Sequence, residues 1–262
     1  MKLDPLLRIP RSEFDPSRCS GPAIVLSNVS DWEALQRWSP SYLKSVAGRE
    51  KVAIRRAKGS PQNIFHRLEA DVSVPFSEYL DWTLETANRL DDIVRNYDDV
   101  CDISREVSAR NIDHSYYLDV RLADLSNMLL KDVVVPEWFD KAPSDILFWC
   151  GVIGTSSGLH SDENPNCNVQ IIGSKHFILF PPSQTDLFDR IPGRTHCRFD
   201  PNLPDFDRFP LAKAADGCRG TLNPGESLYI PAGWYHQVTV ISNWAVNVNF
   251  FWPPVRGKNS NN

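Results

Sequence analysis

The sequence predicts a mainly β fold with flanking helices, arranged as a barrel or sandwich. Between residues 146 and 252, short apolar runs are broken repeatedly by Gly, Pro and Asn, which is typical of many short strands joined by turns. Aromatic residues make up 11% of the chain and include eight tryptophans, which suits a β-rich core around a walled pocket. With 262 residues, of which 42% are hydrophobic, the chain can bury a substantial core in one domain.

Residues 1–114 predict helices and strands that pack on the barrel. The first 20 residues are polar and contain prolines, so they predict an extended arm. The spacing of apolar residues predicts the elements that follow. These are a strand over 22–26, helices over 31–38 and 41–46, a strand over 51–56, a loop over 58–70, and a helix that opens at residue 74. Residues 88–112 are highly charged and predict no particular element.

Residues 115–252 predict the barrel itself, and residues 253–262 predict a frayed tail. A strand over 115–120 and a helix over 122–130 precede a strongly apolar run at 146–153. The remaining predicted strands cover residues 167–172, 175–180, 227–230, 236–241 and 244–251. The three segments together are expected to form one structural domain.

Residues 158–162 read Gly-Leu-His-Ser-Asp and place His160 and Asp162 two positions apart. On a strand, residues i and i+2 point to the same face, so both side chains can reach one metal ion. A second histidine would complete a triad that leaves coordination positions open and favours non-haem Fe(II) used with oxygen. His236 follows a Pro-Gly turn and an apolar strand, and an antiparallel barrel can bring it beside His160. The sequence alone leaves that pairing open.

Lys175 opens an otherwise apolar strand, where an unpaired ammonium is costly to bury. An anionic partner would remove this cost, and a dicarboxylate co-substrate can supply it, since lysine suits carboxylate binding as a point charge. The alternative is an edge-strand lysine whose charged end reaches solvent.

These motifs resemble those of the JmjC (cupin-like) family of Fe(II)- and 2-oxoglutarate-dependent oxygenases. They are most similar to its small hydroxylase branch, which includes the asparaginyl hydroxylase of hypoxia-inducible factor. The matching segments are residues 158–162, 166, 170, 173–175, 179–182, 224–231 and 234–236. The resemblance covers residues 115–252 well and the N-terminal part more weakly. It implies a double-stranded β-helix, or jelly roll.

The resemblance implies a role for each matched residue. His160, Asp162 and His236 would bind Fe(II) and so form the catalytic centre. Lys175 would pair with the distal carboxylate of 2-oxoglutarate. The other residues implied for the co-substrate pocket are Tyr117, Ser157, Asn166 and Asn249. Candidates for the pocket wall are Trp149, Tyr229, Trp234 and Phe250.

Asp119 and Trp234 are the candidate substrate contacts. Asp119 is acidic where some relatives carry an amide, so the substrate of those relatives cannot be transferred to this chain. The activity implied is hydroxylation by Fe(II), O₂ and 2-oxoglutarate, most readily of a protein or peptide side chain. The alternatives are a hydroxylase of tRNA or of a free small molecule, a lysine demethylase, a cupin enzyme without 2-oxoglutarate, and a non-catalytic cupin-like binding protein. With no reader domain or zinc module attached, demethylation of chromatin is the weaker expectation.

Charge and composition limit the partners. The net charge is −5 and no basic run is present, which disfavours a nucleic-acid partner. No apolar run is long enough to span a bilayer, and the N-terminus lacks the apolar region of a signal peptide. Six cysteines without CxxC pairs predict reduced thiols in a cytoplasmic protein. The expected oligomeric state is a monomer or a weak homodimer. The remaining histidines, His66, His114, His176 and His196, are expected to be structural or exposed.

Overall fold

Two β-sheets that close on a central cavity form the body of the protein. The structure, a computed structural model, describes residues 1–26, 29–56, 72–110 and 116–253. Its strands are β1 (Lys2–Pro5), β2 (Leu7–Pro10), β3 (Ala23–Leu26), β4 (Lys51–Arg56), β5 (Val72–Pro75), β6 (Tyr116–Arg121), β7 (Asp145–Val152), β8 (His160–Ser161), β9 (Asn166–Ile172), β10 (Lys175–Phe180), β11 (Asp216–Leu222), β12 (Ser227–Ile230), β13 (Tyr235–Val240) and β14 (Trp244–Phe251).

One sheet has five strands in the order β1-β11-β10-β13-β8, and the other has nine in the order β2-β3-β12-β9-β14-β7-β6-β4-β5. In the first, β13 pairs antiparallel with both β10 and β8. In the second, β14 pairs antiparallel with both β7 and β9. Because side chains alternate along each strand, one face of every strand points into the cavity and the other into a packed layer.

The helices cover the nine-stranded sheet. They are α1 (Glu33–Arg37), α2 (Pro40–Ala47), α3 (Phe76–Arg89), α4 (Asp91–Asn96), α5 (Val100–Ala109), α6 (Leu122–Leu125) and α7 (Asn127–Lys131), with short 3₁₀ turns at Arg11–Glu13, Pro182–Leu187 and Pro210–Ala214. Ser39 caps α2 by accepting the amide proton of Tyr42, and Pro40 begins that helix. In the described part of the chain, no helix has the length and apolarity needed to cross a membrane.

The largest hydrophobic core lies between these helices and the outer face of the nine-stranded sheet. Phe76 of α3 packs edge-on against Phe148 of β7, with ring centroids 5.7 Å apart and planes at 83°. Both rings are fully buried, as are Leu43 of α2 and Val248 of β14. Each such side chain contributes about 1.5–3 kcal/mol by burial, so this layer holds the sheet in place from outside and leaves its inner face for the site.

The predicted mainly β fold with flanking helices is confirmed, and its two sheets form the jelly roll that the resemblance implied. The strands predicted over 51–56, 175–180, 227–230 and 244–251 have the expected bounds. All six cysteines are free thiols, as expected. The predicted loop over 58–70, the tail beyond residue 253, His66 and His114 lie outside the described residues.

Four predictions of local structure need correction. The N-terminal arm contains β1 and β2, which pair in parallel with β11 and β3 and so add one edge strand to each sheet. The helix predicted over 122–130 is two helices, because Ser126 is extended and caps the second one by accepting the amide proton of Met128. The helix expected from residue 74 begins at Phe76, after β5. Strand β11 was not predicted, since its Asp-Gly-Cys-Arg-Gly sequence lacks apolar alternation.

Candidate active site

The pairing of β8 with β13 places His160 directly opposite His236. Their ring centroids lie 4.2 Å apart. Asp162 follows β8, and its carbonyl accepts the amide proton of Gly233 at 2.8 Å, which holds the carboxylate beside the two rings. Its Oδ2 lies 3.6 Å from Nε2 of His236. One ligand atom from each of the three residues lies within 4.8 Å of the others, so the residues of the predicted triad come together.

Backbone carbonyls set the tautomer of both histidines. Nδ1 of His160 lies 3.0 Å from the carbonyl oxygen of Gly158, and Nδ1 of His236 lies 3.1 Å from that of Trp234. A carbonyl can only accept, so each Nδ1 carries a proton, and in the neutral ring each Nε2 keeps a free lone pair. Burial, and then the neighbouring His160, lowers the pKa of His236 below its usual range, which keeps that ring neutral.

This donor set fits a divalent first-row metal. Two neutral imidazole nitrogens and one carboxylate oxygen are the ligands of the facial triad that binds non-haem Fe(II). The backbone carbonyls behind both rings are the outer partners that orient metal-binding histidines.

Lys175 is the second feature of the site. Its side chain is buried, with 1% of the residue exposed, and its ammonium donates to Oδ1 of Asn247 and to the hydroxyl of Tyr117, the latter at 3.2 Å. No carboxylate in the described part of the chain pairs with it. Burial lowers the pKa of Lys175 to about 7. Burial thus disfavours the charged form of Lys175, because no counterion lies beside it, and an anionic ligand would stabilise the ammonium.

The triad and Lys175 share one cavity of about 90 Å³, which is lined by residues of both sheets. Its mixture of a few polar groups with apolar side chains suits a small-molecule ligand. Its lining combines the triad and Lys175 with polar and apolar side chains: Tyr117, Trp149, Ser157, Asn168, Val238, Asn247, Asn249 and Phe251. Ser157 is held in the lining because its Oγ accepts the amide proton of Val238 at 3.0 Å.

Of the residues expected in the co-substrate pocket, Tyr117, Ser157 and Asn249 line the cavity. Asn166 lies behind it and donates to Oδ2 of Asp162 at 3.4 Å.

Sequence reasoning missed four lining residues, Asn168, Val238, Asn247 and Phe251. A signal exists for the two asparagines, since Asn-x-Asn occurs in both β9 and β14. Period-2 asparagines on two strands predict amides on a single face of a sheet. In the structure, β9 and β14 are neighbours, and Asn168 of β9 pairs with Asn249 of β14.

The four residues expected in the pocket wall lie in three different places. Trp149 lines it, whereas Tyr229 and Phe250 belong to the hydrophobic core and are not part of the wall. Phe250 follows Asn249 and therefore points to the opposite face of β14. The Trp234 side chain packs against a separate apolar cluster that includes Leu6 and Ile24.

Asp119 forms an ion pair with Arg55 and shares a face of β6 with Tyr117. Burial raises the pKa of Asp119, and Arg55 opposes that effect. The carboxylate is 25% exposed, so it lies near the surface of the protein rather than deep in the barrel.

Comparison with known proteins adds to this geometry. A family model described as "Cupin-like domain" matches residues 17–258. HSPB1-associated protein 1 of Homo sapiens is 28% identical over 242 residues, which cover 87% of this chain and 47% of that protein. Lysine-specific demethylase JMJ31 of Arabidopsis thaliana is 26% identical over 253 residues, covering 88% and 46% of the two chains. The chain thus spans about half the length of these two relatives.

A third relative is matched over more of its length. The bifunctional peptidase and (3S)-lysyl hydroxylase JMJD7 of Homo sapiens is 25% identical over 261 residues, which cover 88% of this chain and 77% of that protein.

Proposed function

Because the chain belongs to the cupin-like (JmjC) family of 2-oxoglutarate oxygenases, we propose that it is an Fe(II)- and 2-oxoglutarate-dependent hydroxylase of a protein or peptide side chain. The observation that carries this proposal is the burial of Lys175, without a carboxylate partner among the described residues, in the same cavity as His160, Asp162 and His236. A metal site alone fits many proteins. A metal site beside an uncompensated buried cation fits a co-substrate that chelates metal at one end and carries a carboxylate at the other.

In this proposal, Nε2 of His160, Nε2 of His236 and the carboxylate of Asp162 hold the iron. Bound iron would supply oxidative chemistry with O₂, in which 2-oxoglutarate is converted to succinate and CO₂ while the substrate gains a hydroxyl group. The protein's own residues bind and orient the reactants. Lys175 supplies the charge for the distal carboxylate.

The remaining pocket residues assist this binding. The Tyr117 hydroxyl lies beside Lys175 and can donate to the same carboxylate. Ser157, Asn166 and Asn249 complete the polar surround as lining or supporting groups. Trp149, Val238 and Phe251 form apolar wall that limits the access of water to the reacting groups.

The proposed substrate class is supported by the relatives and by Asp119. Two relatives carry names that refer to lysine residues, one as a lysyl hydroxylase and one as a lysine-specific demethylase. Asp119 is the better placed of the two candidate substrate contacts, since it lies on the face of β6 that carries Tyr117 and is partly exposed, whereas Trp234 packs in an apolar cluster. The Asp119 carboxylate already pairs with Arg55, so a basic or amide side chain of the substrate would bind it beside that arginine.

Demethylation of lysine is the second candidate, favoured by the name of the Arabidopsis relative. The two activities differ in product. Hydroxylation leaves one added oxygen atom on the peptide, whereas demethylation removes a methyl group and releases formaldehyde. A tRNA substrate is less favoured, since the chain carries a net charge of −5 and tRNA is a polyanion.

The test has two stages. In the first, the purified chain is titrated with Mn²⁺ and then with 2-oxoglutarate, and succinate is measured after Fe(II), ascorbate and O₂ are added. Binding of both ligands and formation of succinate are expected, and Asp162→Ala should lose metal binding and succinate formation together. The partly exposed carboxylate of Asp145, which pairs with Arg121, provides a matched control, and Asp145→Ala should retain both.

In the second stage, peptide, tRNA and metabolite panels are analysed by mass spectrometry and for formaldehyde. A gain of one oxygen atom on a peptide supports the proposal, and release of formaldehyde supports demethylation instead. A chain that binds neither Mn²⁺ nor 2-oxoglutarate is not an oxygenase of this class, and the proposal is then wrong.

A further inference from the structure

A continuous chain of hydrogen bonds joins Lys175 to Asp162. The ammonium donates to Oδ1 of Asn247, whose Nδ2 donates to Oδ1 of Asn168 at 3.5 Å. Nδ2 of Asn168 donates to Oδ1 of Asn166 at 2.8 Å, and Nδ2 of Asn166 donates to Oδ2 of Asp162 at 3.4 Å. We name Asn247, Asn168 and Asn166 the asparagine relay.

When Lys175 is protonated, the charges at the two ends fix the direction of every bond in the relay. An ammonium can only donate and a carboxylate can only accept. Each amide between them must therefore accept on its oxygen and donate from its nitrogen. Reversing any one amide would place two acceptors or two donors against each other, so no member of the relay can flip alone. Bonds that all point the same way between a cation and an anion also polarise one another.

The three side chains of the relay are buried, and two neighbouring strands hold them in place. Asn166 is 1% exposed, Asn168 4% and Asn247 2%. Asn166 and Asn168 lie two residues apart on β9, and Asn247 lies on the neighbouring β14. Asn247 also donates to Asn249, two residues further along β14. Since a buried amide without partners is costly, removing one member disturbs both of its neighbours.

We propose that the asparagine relay positions both ends of the site at once, setting the orientation of the Asp162 carboxylate and of the Lys175 ammonium. Asn168 is the informative member because, among the described residues, its side chain hydrogen-bonds to relay amides only, and to neither Asp162 nor Lys175. It is a positioning residue that acts on the metal end through Asn166 and on the anion end through Asn247. This inference rests on the proposed function, in which those two ends hold metal and 2-oxoglutarate.

The experiment measures binding at each end separately, without turnover. Metal affinity is obtained by titrating Mn²⁺ into the chain without co-substrate, and co-substrate affinity by titrating 2-oxoglutarate at saturating Mn²⁺ under nitrogen. Substitution of outer-shell groups in metal sites typically costs about 10–100-fold in metal affinity. Asn168→Leu should therefore weaken both affinities by about tenfold or more. Asn166→Leu should act mainly on Mn²⁺, and Asn247→Leu mainly on 2-oxoglutarate.

A matched control separates positioning from loss of a buried amide in general. Asn202 is 1% exposed and donates to Thr239 at 2.7 Å, outside the relay. Asn202→Leu should lower thermal stability as Asn168→Leu does, yet leave both affinities unchanged. If Asn168→Leu does not fold, Asn168→Ser provides a second variant. The short serine hydroxyl cannot reach both Asn166 and Asn247.

The outcomes separate the two proposals. A wild-type chain that binds neither ligand contradicts the proposed function. A wild-type chain that binds both, together with an Asn168→Ser variant of wild-type affinity at both ends, overturns the relay and leaves the proposed function standing. Equal weakening of both affinities in the Asn202→Leu control also overturns the relay, since it would show a general effect of core damage.

Discussion

The imidazole ring of His196 lies flat against that of His160, with ring centroids 4.9 Å apart and planes at 11°. Residues 195–197 run beside β8 and place the ring there. The amide of Cys197 donates to the carbonyl of Leu159 at 2.8 Å, and that of Ser161 donates to the carbonyl of Thr195 at 3.4 Å. His196 lies outside the cluster of three possible metal ligands, but its ring restricts the movement of the His160 ring, which belongs to that cluster.

Loss of this stacking should weaken metal binding. Aromatic contacts are worth about 0.5–1.5 kcal/mol, so His196→Ala should reduce Mn²⁺ affinity by roughly 2- to 10-fold, as the His160 ring gains freedom to rotate. His196→Phe keeps a flat ring in the same place and should stay within about twofold of wild type. Calorimetric titration of both variants makes the comparison, and an Ala variant that binds Mn²⁺ like wild type would remove His196 from any positioning role.

Binding of 2-oxoglutarate should take up a proton at alkaline pH. Burial lowers the pKa of Lys175 to about 7, and a bound carboxylate raises it again by opposing that cost. Tyr117 and Cys150, the titratable groups beside Lys175, are kept neutral because burial raises the pKa of both, so neither supplies a counterion. Affinity should therefore be highest below about pH 7 and fall by up to about tenfold per pH unit above it.

Calorimetry at pH 8 in buffers of different ionisation enthalpy measures this uptake, which should approach one proton per site. Lys175→Met is the control. This variant should bind 2-oxoglutarate weakly, and its binding enthalpy should not depend on the buffer, because it has no lysine at this position to take up a proton. An uptake of zero in the wild type would show that Lys175 already carries its proton in the free protein.

The same group should make the stability of the ligand-free protein depend on pH. The lysine has a pKa of about 7 when folded and 10.5 in its ordinary state, so the unfolded chain binds its proton more tightly across that interval. Stability then rises as the pH increases from about 7 toward 10.5, by at most ~1.4 kcal/mol per pH unit. Denaturant unfolding of wild type and Lys175→Met at several pH values isolates this slope, because other titrating groups cancel in the difference. If the free energies of unfolding of the two proteins changed with pH in parallel, the lowered pKa of Lys175 would be contradicted.

Asp132 should be essential for stability and irrelevant to the site. Its buried carboxylate accepts from Arg37 at 3.0 Å, from Nε1 of Trp38 at 2.9 Å and from the Tyr42 hydroxyl at 2.8 Å, joining the end of α7 to α1 and α2. Asp132→Ala leaves these donors without their acceptor and should lower the free energy of unfolding by about 2–4 kcal/mol. Metal affinity of the folded fraction should not change, and a loss of affinity larger than threefold would indicate coupling between this cluster and the barrel interior.

Much of the site was readable from local sequence. His160 and Asp162 stand two positions apart, and Lys175 begins an apolar strand, so spacing and burial cost were visible without coordinates. The Asn-x-Asn pairs of β9 and β14 were equally visible but ambiguous, because a sequence does not say which strands are neighbours. Strand β11 and the strands of the N-terminal arm were not predicted, because they are strands by virtue of pairing with the rest of the sheet and not through their own composition.

The sequence by itself determined the β-rich class, the chemistry of the donor set and the need of Lys175 for a partner, since these follow from residue type and period. Tertiary structure decided which residues meet. The pairing of β8 with β13 places His236 opposite His160, and the pairing of β9 with β14 joins three amides into one directed chain. The stacking of His196 comes from a segment 35 residues beyond β8. Such contacts depend on strand order and register, which are properties of the whole sheet and not of any one strand.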